Sequence, residues 1–283
     1  MMNSAQFYQR LCDSARDALD HFPGREPSAP LLIQQVMLGL SWSYARVACS
    51  DSHVSSSDSY NNHDNQLNAS AGICFSPLDP PRTLPWAGSL VGRPVEEIIP
   101  WVTQWDSCAA TVGVAVCNAI INHSENELLS RAQSIHCDSD PHLSVFQHFS
   151  DQLTHAKVAI IGRYPGLDQF ASSFDFTCIE KRPGPDDLPE SAAEFVLPTC
   201  DWVFITASSI ANKTLPRLLA LSQHATVVLL GPSLPWLADW SVLGVNYLAG
   251  VCVNDPQALS AVVSEGGGTR LFDEAVRYHL LAL

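Results

Sequence analysis

Apolar side chains at Phe7, Leu11, Ala15, Ala18 and Leu19 recur at close to 3.6 residues, which predicts an amphipathic helix over residues 3–20. The stretch from His21 to Pro30 holds three prolines and a glycine and ends it. Leu31 to Gly39 is apolar and reads as a strand. Ser41 to Cys49 alternates, with Trp42, Tyr44 and Val47 set among small or polar residues, and reads as a second. Asp51 to Ser70 is rich in Ser, Asn and Asp and predicts a long loop or hairpin tip. Ala71 to Phe75 returns as a strand, and Pro77 to Pro85 turns the chain. Pro94–Trp101 and Ser107–Ile121 read as helices; in the second, Ala109, Val112, Val116 and Ala119 share a face. Strands first and helices after describe a small α+β unit ending near residue 125.

Residues 125–142 are polar and irregular and read as a linker, followed by a helix over Leu143–Leu153. From Lys157 the pattern changes. Short apolar runs at Val158–Ile161, Phe176–Ile179, Trp202–Ile205, Val227–Leu230 and Tyr247–Val253 alternate with helical stretches. The helices are expected near Asp168–Ser173, Leu215–Ser222, Pro256–Ser264 and Leu271–Leu280. This alternation predicts an α/β unit with a parallel sheet flanked by helices. The first crossover is short, so the arrangement is expected to be an incomplete or modified Rossmann-like one. The two units divide as residues 1–138 and 139–283, as a chain of 283 residues suggests at roughly 150 residues per domain.

Charge narrows the function. There are 29 acidic and 15 basic residues, a formal net charge of -14, and both halves are acidic. Phosphate backbones and anionic lipid surfaces require clustered Lys and Arg, so neither nucleic acid nor membrane is expected as a partner. Residues 1–22 mix Arg10, Asp13, Arg16, Asp17 and Asp20 among apolar positions, unlike a signal peptide. The longest apolar run, Val112 to Ile121, is too short to span a bilayer. A cytoplasmic location is expected. The nine cysteines form no C-x-x-C pair and are expected to behave as small core residues. A homodimer is expected for a chain of this kind.

In an open α/β sheet, ligands bind beyond the carboxyl ends of the strands. Gly162-Arg163-Tyr164-Pro165-Gly166 follows the first run, and Glu180-Lys181-Arg182 the second. Thr206, Ser208, Ser209, Asn212 and Thr214 follow the third, and Gly231-Pro232-Ser233 the fourth. Parallel strands would put these groups on one edge. Gly162 and Gly166 suit close approach to a ligand or a plain turn, because the G-x-x-x-G spacing is not the dinucleotide fingerprint. Glu180, 18 residues after Gly162, suits a ribose contact or a solvated strand end paired with Lys181 or Arg182. Thr214 is expected to cap the helix that begins at Leu215. His136, Cys137, Asp138, Asp140, His142 and His148 form a metal-like cluster, but their spacing fits no recognised motif and a solvated linker is the expected reading. No G-x-S-x-G elbow or Walker loop is present, so nucleophilic catalysis has no specific support.

The runs VGVAVCNAIIN (Val112–Asn122), VAIIGRYPGL (Val158–Leu167), DWVFITASSIANKTL (Asp201–Leu215) and LLGPSLPW (Leu229–Trp236) resemble, in order and spacing, a heavy-metal-chelation family catalogued as a domain of unknown function. The resemblance runs from about Val36 onward. It implies an N-terminal domain like the amino-terminal domain of enolase, a C-terminal Rossmann-like domain, and a ligand site in the cleft between them. The motif positions it marks are Asn118, Gly162, Arg163, Pro165, Glu180, Thr206, Asn212, Thr214, Gly231, Pro232 and Ser233. Asn118 would form one wall, with the strand-end groups on the other. The Asn- and Ser-rich stretch Ser55–Ser70 departs from the family pattern as an expanded loop. Enolase chemistry does not follow, because the likeness covers only an accessory domain.

Two ligand classes are open. One is a transition metal or a pre-formed metal chelate, the latter needing only Arg163 and neutral donors. The other is an adenosine-bearing cofactor, such as S-adenosylmethionine or a nucleotide, with Glu180 on the ribose and Arg163 or Asn212 facing the substrate. A third reading, a structural or regulatory partner protein, requires an apolar patch around Trp236 and Trp240 rather than their packing in the core.

Overall fold

The computed structural model describes residues 4–49, 69–137 and 140–283. The expected loop over Asp51–Ser70, including the expanded stretch from Ser55, lies outside the described residues up to position 68. The fold is mixed α/β with a parallel-strand sheet.

Helix α1 (Ser4–Asp20) buries the stripe Phe7, Tyr8, Leu11, Cys12, Ala15 and Leu19. Strands β1 (Leu31–Leu38), β2 (Trp42–Cys49) and β3 (Ala69–Phe75) form an antiparallel meander. Pro94–Trp101, expected as one helix, is instead two 3-10 turns, Val95–Glu97 and Ile99–Thr103. Pro100 lies within the second and lacks the N–H that a continuing helix needs there. Helix α2 (Ser107–Ile121) starts where the Asp106 carboxylate accepts from the Ala109 N–H at 2.7 Å. Fourteen of its fifteen residues are buried, because it is sandwiched between the meander and α1.

That sandwich needs small residues. A β-carbon on Gly72 of β3 would lie 2.0 Å from the Ala115 carbonyl oxygen and 2.2 Å from the Ala119 nitrogen of α2. Strand and helix backbones therefore touch, with nothing between them.

Residues 125–142 are not an irregular linker. They hold a short helix, α3 (Glu127–Arg131), and a two-residue strand, β4 (Gln133–Ser134), which joins the larger sheet. After α4 (Ser144–Leu153) come the parallel strands β5 (Val158–Ile161), β6 (Phe176–Glu180), β7 (Leu188–Pro189), β8 (Trp202–Thr206), β9 (Thr226–Leu230) and β10 (Tyr247–Val253). Their spatial order is β7-β6-β5-β8-β9-β10, with antiparallel β11 (Val276–Ala282) and then β4 at the far edge. The order reverses direction between β5 and β8. Helices α5 (Ala193–Val196), α6 (Ser208–Ala211), α7 (Leu215–Leu221) and α8 (Pro256–Ser264) fill the crossovers.

The five long apolar runs are strands at the expected positions. Leu271–Leu280 is not a helix. One 3-10 turn, Thr269–Phe272, leads into β11. Val276, Tyr278 and Leu280 are buried while Arg277 and His279 between them are not, the two-residue period of a strand. Asp168–Ser173 likewise shrinks to a 3-10 turn, Leu167–Phe170. Trp236 and Trp240 are 1% and 2% exposed, so they make no surface patch. No helix among the described residues is long and apolar enough to cross a membrane.

The two lobes are joined through main-chain atoms. Asn118, Asn122 and Asn126 follow one another at four-residue spacing at the end of α2 and beyond. Asn118 donates from Nδ2 to the Ile73 carbonyl in β3 at 2.8 Å. Asn122 donates to the Leu234 carbonyl at 2.9 Å and accepts from the Trp236 N–H at 2.8 Å. Asn126 donates to the Trp236 carbonyl at 3.1 Å. The Ser233 hydroxyl accepts from the Phe75 N–H at 2.9 Å. The bonds of Asn122, Asn126 and Ser233 fasten the loop after β9 to the first lobe, while Asn118 ties α2 to β3 within that lobe.

All nine cysteines are free thiols, and eight are buried; Cys252 is half-buried. Burial pushes the Cys74 and Cys178 thiols up to about 12, with Asp187 adding to the rise at Cys178, and pushes Cys252 up to about 11. Thiols held neutral in this way are core side chains.

Asn122→Ala should lower unfolding stability by about 2–4 kcal/mol, because it strands one N–H and one carbonyl in the seam. Urea denaturation checks this, and a loss within the roughly 0.5 kcal/mol of an ordinary surface change would remove the clamp from the account. Ellman's reagent at neutral pH should label at most Cys252 promptly in folded protein and all nine thiols in urea. The Cys74, Cys178 and Cys252 thiols titrate above their unfolded value of 9.0, so their stabilisation is complete below that pH and declines toward 11–12. A denaturation midpoint that holds constant from pH 8.5 to 10.5 would contradict it.

Candidate functional site

Where the strand order reverses, adjacent carboxyl ends diverge and leave a crevice. Here the first lobe roofs it. The result is a cavity of about 840 Å³ between the two lobes. Gly162 and Arg163 leave β5, and Thr206 ends β8, on either side of the reversal. Gly162 takes φ 96°, and a β-carbon there would meet the Thr206 methyl at 3.0 Å. A side chain at 162 would thus close the crevice as well as strain the turn.

Ten of the eleven positions marked by the sequence line this one cavity. Gly162, Arg163 and Pro165 come from the loop after β5, and Glu180 from the end of β6. Thr206, Asn212 and Thr214 follow β8, and Gly231, Pro232 and Ser233 follow β9. The exception is Asn118. It is fully buried beneath β3 and does not line the cavity. Its helix nonetheless forms part of the wall through Ser107 and Thr111, three turns and two turns earlier on the same face.

Arg163, Glu180 and Arg182 are committed to the protein itself. Arg163 gives Nη2 to both Asp168 oxygens at 2.6 Å and Nη1 to Asp187 at 3.1 Å. Asp187 is itself nearly buried and also accepts from the Gly184 N–H. Arg163 therefore carries no uncompensated charge toward a ligand and acts as a buttress of the β5 loop. Glu180 pairs with neither Lys181 nor Arg182 through their side chains. Its carboxylate accepts the main-chain N–H groups of Arg163 and Lys181, each at 2.7 Å, and of Arg182 at 3.4 Å. Arg182 reaches the opposite lobe, bonding Asp79 and the Leu78 carbonyl at the cavity mouth.

Neutral groups make up most of the polar lining. Thr206 and Ser208 hydroxyls lie 3.1 Å apart, and Ser209 donates to the Thr206 carbonyl at 2.6 Å. Thr214 does not cap α7: its hydroxyl donates to Asn212 Oδ1 at 2.7 Å, and its N–H reaches the same atom at 3.1 Å. This leaves the Asn212 amide nitrogen without a partner among the described residues. The Tyr164 hydroxyl is buried beside Thr206 and Gly231 and has no partner in good hydrogen-bond geometry. Burial holds that phenol well above its ordinary value, so it remains a protonated donor. The facing wall is aromatic, from Trp42, Phe75, Phe272 and Tyr278. Tyr164 was overlooked because an aromatic between Arg and Pro reads as turn packing. Thr111 could have been found by stepping two helical turns back from Asn118.

No three His, Cys, Asp or Glu side chains converge on a possible metal position among the described residues. In the His136–His148 stretch, Asp138 lies outside the described residues and the others scatter. His142 donates from Nε2 to the Pro165 carbonyl at 2.7 Å, Asp140 accepts from Gln169, and His148 packs edge-on against Phe149. Apart from the His142 imidazole and the carboxylates of Asp79, Glu180 and Glu190, no three of which converge, the cavity's donors are hydroxyl and amide, which do not suit a resident soft metal ion.

Two family models match the chain, over residues 26–121 and 144–282, and both are described as "Putative heavy-metal chelation". A protein of unknown function from Desulfitobacterium hafniense, of the DUF364 family, has a similar solved structure: TM-score 0.74, 23% identity, covering 97% of this chain and 100% of that one. Another of that family, from Pyrococcus horikoshii, gives TM-score 0.73 at 18% identity, covering 98% and 99%. At these identities the likeness is one of fold. No curated protein matches the chain. With both of its characteristic segments present in order around the roofed crevice, the chain belongs to the family described as heavy-metal chelation, DUF4213 followed by DUF364.

Proposed function

We propose that the cavity takes a small organic chelator together with its metal as one ligand, and that the bare ion is not what the protein recognises. The observation that carries this reading is the cavity's lining. Hydroxyls, an unpartnered amide and a buried phenol face aromatic rings, no three metal-ligating side chains converge among the described residues, and the family description concerns chelation. A chelate offers carboxylate or hydroxyl oxygens to such donors and keeps the metal's own coordination satisfied. Asn212, Thr206, Ser208 and Tyr164 would contact the ligand. Gly162, Gly231 and Pro232 would give it room, and Glu180, Arg163 and Pro165 would hold the loop around it.

In the same reading, residues 1–138 form an enolase-N-terminal-like domain and residues 139–283 a Rossmann-like one, with β4 reaching from the first into the sheet of the second. The strand order β7-β6-β5-β8-β9-β10 supports the second assignment. The cytoplasm suits nine unpaired thiols.

The strand order also favours a second reading, an adenosine-bearing ligand at the reversal. The three main-chain bonds on Glu180 count against it, since they occupy most of the carboxylate that a ribose would need.

Equilibrium dialysis separates the readings. Zinc, nickel, copper(II) and ferric ion are each offered as the aquo ion and as the citrate complex, beside S-adenosylmethionine, NAD and ATP. The expected result is retention of a citrate complex at one per chain, with no aquo ion above background. Ser208→Phe, which fills the cavity, should weaken that retention by about tenfold or more, equivalent to about 1.4 kcal/mol. Retention of an adenosine-bearing compound alone, or of bare ions indifferent to Ser208→Phe, would overturn the chelate reading.

A further inference from the structure

Lys213 stands between Asn212 and Thr214, both of which line the cavity, yet its own side chain leaves in the other direction. Among the described residues it is the only one besides glycine with a positive φ, 71°. A lysine gains nothing locally from that left-handed backbone, which crowds its β-carbon, so the surroundings must impose it. They do so from the first lobe. The Lys213 ammonium donates to the Val102 carbonyl oxygen in the 3-10 turn before α2 and sits 4.3 Å from the centre of the Tyr8 ring of α1. The Tyr8 hydroxyl in turn donates to the Ile210 carbonyl at 2.8 Å. One aromatic side chain of α1 thus grips the segment at 210 and again at 213.

We propose that Lys213 is a positioning residue for the cavity: anchored in the first lobe on Val102 and Tyr8, it forces the left-handed turn that sets Asn212 and Thr214 into the ligand-facing wall. The proposal rests on the reading of this cavity as the ligand site. Because the chain alternates direction through the turn, an anchor at 213 on one side fixes its neighbours on the other. The pair is then locked to itself by the Asn212–Thr214 bonds.

The anchor is sensitive to pH. Among the described residues no carboxylate pairs with the Lys213 ammonium, and burial lowers its value to about 8. The titratable groups facing it are Tyr8 and Cys12 of α1 and Cys74 of β3, and burial raises all three, so they stay neutral while Lys213 titrates. Arg16 and Asp13 of α1 act on Cys12, not directly on Lys213. Loss of the proton removes the attraction to the Tyr8 ring and weakens the bond to Val102.

Hydrogen exchange on the ligand-free protein tests this. The amides of Asn212, Lys213 and Thr214 bond to the Ser208, Ile210 and Ser209 carbonyls and should be protected at pH 7. Lys213→Met should speed their exchange by about tenfold or more, leaving the α2 amides unchanged, and Lys213→Arg should recover part of the protection. In the wild type, protection corrected for intrinsic rate should fall between pH 7 and 9 at these three amides, and Lys213→Met should lose that dependence. Equal protection in wild type and Lys213→Met overturns the proposal. If Lys213→Met does not fold, the wild-type pH series decides, and protection constant from pH 7 to 9 has the same force. Dialysis with ferric citrate then separates the two claims. Wild-type protein that retains none overturns the cavity reading, while the exchange data still judge the anchor. Equal retention by wild type and a loosened Lys213→Met shows that the wall need not be held and overturns positioning.

Discussion

The backbone of β3 lies against the backbone of α2 within the first lobe, where Asn118 ties them, and Asn122 and Asn126 at the end of that helix bind main-chain atoms of the second lobe across the seam. Main-chain bonds cannot shift register without breaking several at once, so the lobes move as one piece. The cavity walls come from both lobes: Ser107 and Thr111 on α2, Phe75 and Ser76 after β3, and the strand ends of the larger sheet. Its shape is fixed by this seam, and the Ser233–Phe75 bond sets the last strand end directly against the roof. A crevice at a strand-order reversal is ordinarily open to solvent. Here it becomes a roofed chamber with a mouth between the lobes, because a second lobe is bolted over it.

Enclosure changes what the charged residues do. Arg163 and Glu180 look like ligand contacts, but each is spent on holding the loops that frame the chamber. A buried cation or carboxylate left unpaired would carry a desolvation penalty of several kcal/mol, so pairing within the wall is the stable arrangement. Recognition then falls to neutral donors and aromatic faces, which suit a ligand that brings its own metal coordination. Thiols such as Cys74 and Cys178 take no part, because burial raises their titration and keeps them protonated in the core.

Much of this was legible in the residue pattern. Five apolar runs bounded by Gly, Pro and charged residues became five strands, since a fully buried parallel strand leaves a continuous apolar signature. Strand-end groups on one edge followed from parallel geometry alone. Other features depended on contacts that no local pattern encodes. Leu271–Leu280 has enough leucine for a helix, and only the partner β10 selects its two-residue period. Asn118 was expected at the cavity wall but lies deeper, fully buried on the face of α2 that carries Thr111, because sequence spacing gives direction around an axis and not distance to a surface. Thr214 looked like a cap, but its backbone is already helical at φ -88° and ψ -20°, so its hydroxyl oxygen accepts no N–H of the first turn and its proton goes to Asn212. Residues 125–142 look like a linker because β4 is only two residues long and its pairing is supplied entirely by β11.

The central claim is that the chamber at the β5–β8 reversal holds a metal as part of a chelate. Crystals grown with ferric citrate and measured at the iron absorption edge test it most directly. The account predicts an anomalous peak inside the chamber, between the Thr206–Ser208 hydroxyls and the aromatic wall, with the iron ligated by citrate oxygens and by no protein side chain. A peak on the surface histidine His148, or iron bound directly by protein side chains, His142 of the chamber wall included, would contradict it.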